Sequence, residues 1–228
     1  MSNTCYICLE NINNPLFFIC GHSFCKICIN EWLKRSNTCP TCRRELIKES
    51  FKPSTKEELQ QAVDEWCNNN NIAINKYGNI NEWNTSLITN MDNLFYEKDK
   101  FNDPIGNWDV SNVTTMKDMF FKAVKFNQSL DSWDVRNVRS MQSMFSHTKY
   151  FNQPLESWDV SNVTSMEYMF YEATNFNQSL ILWNVNDLTN IEGIFEGAES
   201  FNYSVSFLSF KPNNKECLEE CLEEAIEF

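Results

Sequence analysis

The chain has 228 residues, ten of them cysteine, and a formal charge of −12. Residues 1–52 carry seven Lys/Arg and four Asp/Glu, a charge of +3, whereas residues 53–228 carry twelve and twenty-seven, a charge of −15. So acidic a body lacks the basic stripe that phosphate binding needs, which argues against nucleic acid as the main partner; no stretch reaches the ~20 apolar residues of a membrane span, and the length holds one or two domains.

The first forty-odd residues are dominated by Cys5, Cys8, Cys20, His22, Cys25, Cys28, Cys39 and Cys42. These are four pairs of soft ligands at close spacing. Zinc takes four sulfur or nitrogen ligands in a tetrahedron, and a CxxC pair on a tight turn supplies two of them. Four pairs make two closed sites with no open position for water, so the zincs are structural. The alternatives are disulfides and a redox CxxC. Disulfides belong with a secretory signal, and Cys5 stands too near the first residue for one. We therefore expect an intracellular, reducing compartment, cytoplasmic or nuclear.

This order of seven cysteines and one histidine resembles a RING finger. The resemblance implies interleaved pairs, with Cys5, Cys8, Cys25 and Cys28 on one zinc and Cys20, His22, Cys39 and Cys42 on the other. It also implies ubiquitin-ligase activity without a nucleophile, in which the finger holds a ubiquitin-charged conjugating enzyme so that a substrate lysine attacks the thioester. The gain is orientation. Ile7, Trp32 and Pro40 match the family's apolar contact residues for that enzyme. Arg43 matches its linchpin, a role suited to a planar guanidinium that bonds two partners at once. The plainer readings are loop packing for Ile7 and Pro40 and a solvated charge for Arg43.

The finger occupies residues 1–46. Leu16 to Ile19 and Ser23–Phe24 read as a hairpin around Cys20-Gly-His22, and Lys26 to Lys34 as a short helix. Residues 47–53 form a linker that ends at Pro53, which is unfriendly to helix. Ser54-Thr-Lys-Glu57 has the form of a capping box, so a helix is expected from Ser54. Leu59, Ala62, Val63 and Trp66 fall on one face of it. The run Asn68 to Asn71 stops it, giving a capping-helix region over 54–75.

From Trp83 the chain repeats every 25 residues: Trp83, Trp108, Trp133, Trp158 and Trp183 keep the beat, as do Phe101, Phe126, Phe151, Phe176 and Phe201. Met91, Met116, Met141 and Met166 follow it too, with Ile191 continuing the row. A fixed period of this length signals a solenoid whose coils bury their faces on one another. Within one coil, Leu130 to Val138 alternates as a strand does, and Val138 to Phe145 steps as a helix does. The expected fold of residues 76–210 is therefore an α/β, leucine-rich-repeat-like solenoid. The run Trp158 to Phe170, WDVSNVTSMEYMF, resembles BspA-type leucine-rich repeats, a family that fixes no activity. The Trp, Met and Phe ladders read as core. Asn112, Asn137 and Asn162 read as a ladder bonding turn backbone; the sequons Asn112-Val-Thr and Asn162-Val-Thr are accidental matches in the expected intracellular compartment. Asp109, Asp134 and Asp159, with Asn184 continuing the row, are expected on the concave face. There they either bond their own turns or meet a basic substrate.

Residues 211–228 read as an acidic helix capping the last coil. Cys67, Cys217 and Cys221 read as ordinary thiols, and His147 as one residue of a repeat. The reading that follows is a RING-type ubiquitin ligase with two structural zincs, a conjugating enzyme as partner of the finger and a protein substrate on the solenoid. The alternative is a zinc-stabilised interaction scaffold without transfer activity.

Overall fold

The computed structural model describes residues 4–18, 20–46, 50–185 and 189–203. The expected C-terminal capping helix, Cys217 and Cys221 lie outside them, as does part of the linker. The chain divides into two compact units, residues 1–50 and 51–228.

The first unit is built on a hairpin. β1 (Pro15–Phe17) pairs antiparallel with β2 (Ser23–Cys25), with Leu16 opposite Phe24. Gly21 turns the chain between them at φ +80°, a region glycine enters without steric cost. α1 (Lys26–Leu33) follows directly. Phe18, Phe24 and Ile29 are buried with Cys5, Cys25 and Cys39, and Ile7, Ile12, Leu16 and Leu46 pack around them. So small a core needs metal, because the free energy of binding zinc becomes free energy of folding.

The second unit opens with two helices. α2 (Lys56–Asn68) starts one residue later than its expected cap: Thr55 is the N-cap and accepts from the Glu58 amide at 3.2 Å. Glu58 in turn accepts from the Ser54 amide at 2.7 Å and hydroxyl at 2.9 Å. Leu59, Ala62, Val63 and Trp66 are buried, as their spacing requires. Asn69 ends α2 and begins α3 (Asn70–Tyr77), its side chain accepting from the Ile72 amide. Phe51, Trp66 and Tyr77 then close around Trp83, with ring centroids 5.3–5.8 Å from it.

From there the 25-residue units hydrogen-bond one to the next, but not as strand plus helix. Among the described residues of the repeats there is neither a strand nor an α-helix, only turns and single parallel bridges joining Asn90, Thr115, Ser140, Ser165 and Asn190. The backbone bonding explains this. The amides of Met116, Asp118, Phe120 and Lys122 donate to Ser140, Gln142, Met144 and Ser146 of the next unit at 2.9 Å. The amides between them close turns, Met119 to Met116, Phe121 to Asp118 and Ala123 to Phe120. Alternate amides therefore point along and across the stack. Such a path needs left-handed residues at two places per unit, and Asn93, Asp118, Ser143 and Tyr168 supply one column, Glu97, Lys122, His147 and Glu172 the other. A helix over Val138 to Phe145 is impossible with Ser143 at φ +51°.

Side chains fill the interior in registered columns. Phe95, Phe120, Phe145, Phe170 and Phe195 stack at 5.3–5.6 Å with their planes within 8° of parallel. Each stacked pair contributes ~0.5–1.5 kcal/mol beyond its burial. Trp133, Trp158 and Trp183 donate their indole N–H to the carbonyls of Ile105, Leu130 and Leu155 in the preceding unit, at 2.8–3.2 Å. The expected asparagine ladder is present: Asn112, Asn137 and Asn162 donate to Ser86, Ser111 and Arg136 carbonyls at 2.7–2.9 Å. A second one has Asn102, Asn127 and Asn152 accepting from the amides of Asn127, Asn152 and Asn177 at 2.8–2.9 Å.

Candidate metal centre and its surroundings

Two short knuckles with the same backbone bonds carry half of the ligands. In the first, the Cys5 amide donates to the Glu10 carbonyl at 2.8 Å and the Leu9 amide to the Cys5 carbonyl at 2.7 Å. In the second, the Cys39 amide donates to Arg44 at 2.7 Å and the Arg43 amide to Cys39 at 2.8 Å. Leu9 and Arg43 occupy equivalent left-handed positions, φ +66° and +59°. Each knuckle brings two thiols to one side of a turn. Cys25 and Cys28 join the first from the passage of β2 into α1, and Cys20 and His22 join the second from the hairpin turn.

Within each group of four, the ligand atoms all lie within 4.8 Å of one another: Cys5, Cys8, Cys25 and Cys28, and Cys20, His22, Cys39 and Cys42. The pairing is interleaved, as the resemblance implies. The donor sets fit zinc. His22 Nδ1 is buried without a hydrogen-bond partner among the described residues, as expected of a nitrogen whose partner is a metal ion. Burial opposes the Cys5 thiolate, but the amides of Cys8, Cys25 and Ile7 outweigh it and lower the thiol to about 6. Burial, bonding to Cys8 and the charge of its neighbours push Cys28 up to about 12. Four sulfur ligands in one group, and three with an imidazole in the other, suit a divalent cation, and two structural Zn2+ ions satisfy both groups.

Of the proposed contact residues, Trp32, Pro40 and Arg43 lie on the second knuckle and the helix before it. Trp32, at the end of α1, is 37 % exposed, yet its ring is held: the indole N–H donates to the Thr38 carbonyl at 2.7 Å. Thr38 is tied to Ser36 through their hydroxyls at 2.8 Å. Pro40 is half-buried and Arg43 exposed on the same knuckle, while Ile7 lies in the first knuckle against the core. The seat of Trp32 has no sequence signal, because its acceptor is a backbone carbonyl.

On the repeats, Asp109, Asp134 and Asp159 do not stand on strands. Asp109 accepts from the Ser111 amide and hydroxyl at 3.0 and 2.6 Å, and Asp159 from those of Ser161 at 3.1 and 2.7 Å. Asp134 takes a bidentate pair from Arg136, at 2.8 and 2.7 Å. Each carboxylate is engaged by its own turn.

Residues 4–42 match the family described as zinc finger, C3HC4 type (RING finger). Among curated relatives, peroxisome assembly protein 10 of Thermothelomyces thermophilus is 41 % identical over 49 residues. The E3 ubiquitin-protein ligase RNF8 of Homo sapiens is 43 % identical over 47 residues, and ORC ubiquitin ligase 1 of Pongo abelii 45 % over 47. These matches span 21–22 % of this chain and only 6–11 % of the relatives' lengths. The finger is thus homologous to those of ubiquitin ligases over that stretch. Residues 58–164 and 131–228 match a second family, described as Mycoplasma protein of unknown function, DUF285, and since these ranges together span most of the sequence, the chain belongs to that family and carries a RING finger ahead of its repeats.

Proposed function

We propose that the chain is a RING-type ubiquitin ligase. The finger recruits a ubiquitin-charged conjugating enzyme through Ile7, Trp32 and Pro40, and Arg43 pins ubiquitin so that the thioester faces an incoming lysine. No covalent intermediate forms on this chain; the catalytic gain is orientation. The repeats, read as a BspA-type leucine-rich-repeat solenoid, hold the protein substrate. The chain acts in a reducing intracellular compartment, cytoplasmic or nuclear, where free thiolates persist for zinc.

The observation that carries this reading is the seating of Trp32. A large aromatic side chain more than a third exposed, with its polar edge already bonded to Thr38, presents a rigid apolar face at low entropic cost. The test is the affinity of the zinc-loaded chain for a panel of conjugating enzymes. Trp32→Ala weakens binding by ~2 kcal/mol or more, about thirty-fold in Kd, while metal content stays at two ions. Equal binding by Trp32→Ala and wild type refutes the contact assignment, and no binding to any enzyme of the panel favours a scaffold without transfer activity.

A further inference from the structure

The repeat columns divide into two kinds. Tryptophan, phenylalanine and asparagine columns recur unchanged because stacking dictates them. Other columns change from unit to unit, and two of these line one hollow of ≈ 550 Å³. The left-handed column contributes Glu97, Lys122, His147 and Glu172. The column two residues on contributes Asp99, Val124, Lys149 and Thr174. Glu97 and Asp99 also line a second hollow of ≈ 470 Å³ beside α2, so the two adjoin.

Three polar groups in the groove, on Lys149, Glu172 and Thr174, are left over, unlike those of the ladders. The Asp109, Asp134 and Asp159 carboxylates and the asparagine amides are taken up by neighbouring backbone or side chains. Lys149 and Glu172 form no ion pair among the described residues, and Thr174 Oγ1 is buried without a hydrogen-bond partner there. Lys122 has a loose, exposed ion-pair partner, Glu97 at 3.3 Å, and its ammonium lies 5.2 Å from the centre of the Phe121 ring. His147, which lines the groove, stands edge-on between the rings of Phe121 and Tyr171, with centroids 5.4 and 5.2 Å away.

The backbone beside the groove is already bonded. The Lys125, Tyr150 and Asn175 amides donate to the carbonyls of Asp99, Val124 and Lys149 at 3.1–3.2 Å. An occupant is therefore recognised by its side chains rather than by adding a strand. The charge order along the stack is acidic at Glu97 and Asp99, basic at Lys122 and Lys149, and acidic again at Glu172. Units joined by backbone hydrogen bonds lie ~4.8 Å apart, so four units span ~14 Å, the length of four or five extended residues.

We propose that this groove is the substrate-docking surface of the repeats, and that it takes a short extended polypeptide segment with an acidic residue at its centre and a basic residue on either side. The inference rests on the reading of the repeats as the substrate-holding part, and it locates that function away from the Asp109, Asp134 and Asp159 column.

The test uses the full zinc-loaded chain and two labelled seven-residue peptides. One has Glu at its centre and Lys at its second and sixth positions; the other has the same composition with Glu at its second position and Lys at its centre and sixth. Binding is read by fluorescence anisotropy at low salt. The acid-centred peptide binds about ten-fold more tightly, and Lys122→Glu/Lys149→Glu abolishes the preference. Glu172→Lys alone weakens the acid-centred peptide. Equal affinity for the two peptides, binding of neither, an order that survives the double substitution, or tighter binding of a single-stranded oligonucleotide overturns the proposal. Discharge of ubiquitin from the conjugating enzyme to free lysine needs no groove. Its retention in the double variant separates failure of the groove from failure of the ligase reading.

Discussion

Replacing single tryptophans by phenylalanine isolates one hydrogen bond in the repeats. Trp83, Trp133 and Trp183 are buried to the same degree, 2–3 % exposed, so a similar area of indole is lost at each, although only Trp83 also packs against Phe51, Trp66 and Tyr77. Their polar edges differ. Trp133 donates to the Ile105 carbonyl at 3.2 Å and Trp183 to the Leu155 carbonyl at 2.8 Å. Trp83 has no preceding unit, and its indole N–H is buried without a partner among the described residues. Trp133→Phe therefore loses one bond, ~1 kcal/mol net. It does not orphan the acceptor, because the Ile105 carbonyl keeps the bond from the Trp108 amide at 3.0 Å. Trp83→Phe removes a donor that is already costly to bury, so this term is zero or favourable. The expected gap is ~1–2 kcal/mol, with Trp83→Phe the milder change. Urea melts followed by circular dichroism measure it. Trp183→Phe, near the other end of the described repeats, controls for position along the stack. If Trp83→Phe costs as much as the other two, the indole bonds contribute nothing and stacking alone holds the column.

Other features give their own expected outcomes. Gly193→Ala places a methyl group against the Tyr168 ring at φ +58°, so it destabilises the repeats by ~1–3 kcal/mol; Tyr168→Ser in the same chain recovers part of the loss in a thermal melt, and no recovery refutes the clash. The purified chain carries two zinc ions, and Cys25→Ser unfolds the finger while the repeats keep their own transition, so one ion or none in fully folded protein contradicts the metal assignment. The Ser54 amide and hydroxyl hold the Glu58 carboxyl below its ordinary range. A lowered folded-state pKa gives stability that is present above the unfolded value, ~4.3, and lost as pH falls through the folded one; Glu58→Gln should flatten the fall of Tm on acidification, and an unchanged profile refutes the cap.

The finger was legible because ligand spacing constrains it strongly: hairpin, helix and both four-residue groups stand where the cysteines require. The cap of α2 was misread by one residue because Ser54-Thr55-Lys56-Glu57-Glu58 contains two overlapping boxes. The structure uses Thr55 with Glu58, and the sequence pattern does not rank the two. Asn69 stops one helix and starts another, and only the first role shows in a run of asparagines. The repeat period and its buried columns were plain from tryptophan, methionine and phenylalanine. The path of the backbone was not. Its left-handed positions are held by Asp118, Ser143, Tyr168, Lys122, His147 and Glu172 rather than by glycine, so the usual signal for such turns is missing. Only at Gly193 and Gly197 does glycine mark the same two columns.

The central claim is that the finger speeds ubiquitin transfer by orientation. The direct measurement is discharge of a ubiquitin-charged conjugating enzyme to free lysine, with and without the purified zinc-loaded chain. Wild type accelerates discharge with at least one enzyme of a panel, and Arg43→Ala, an exposed change on the second knuckle, slows it without weakening enzyme binding. A wild-type chain that holds two zinc ions and binds a conjugating enzyme, yet leaves its discharge rate unchanged, would contradict the account.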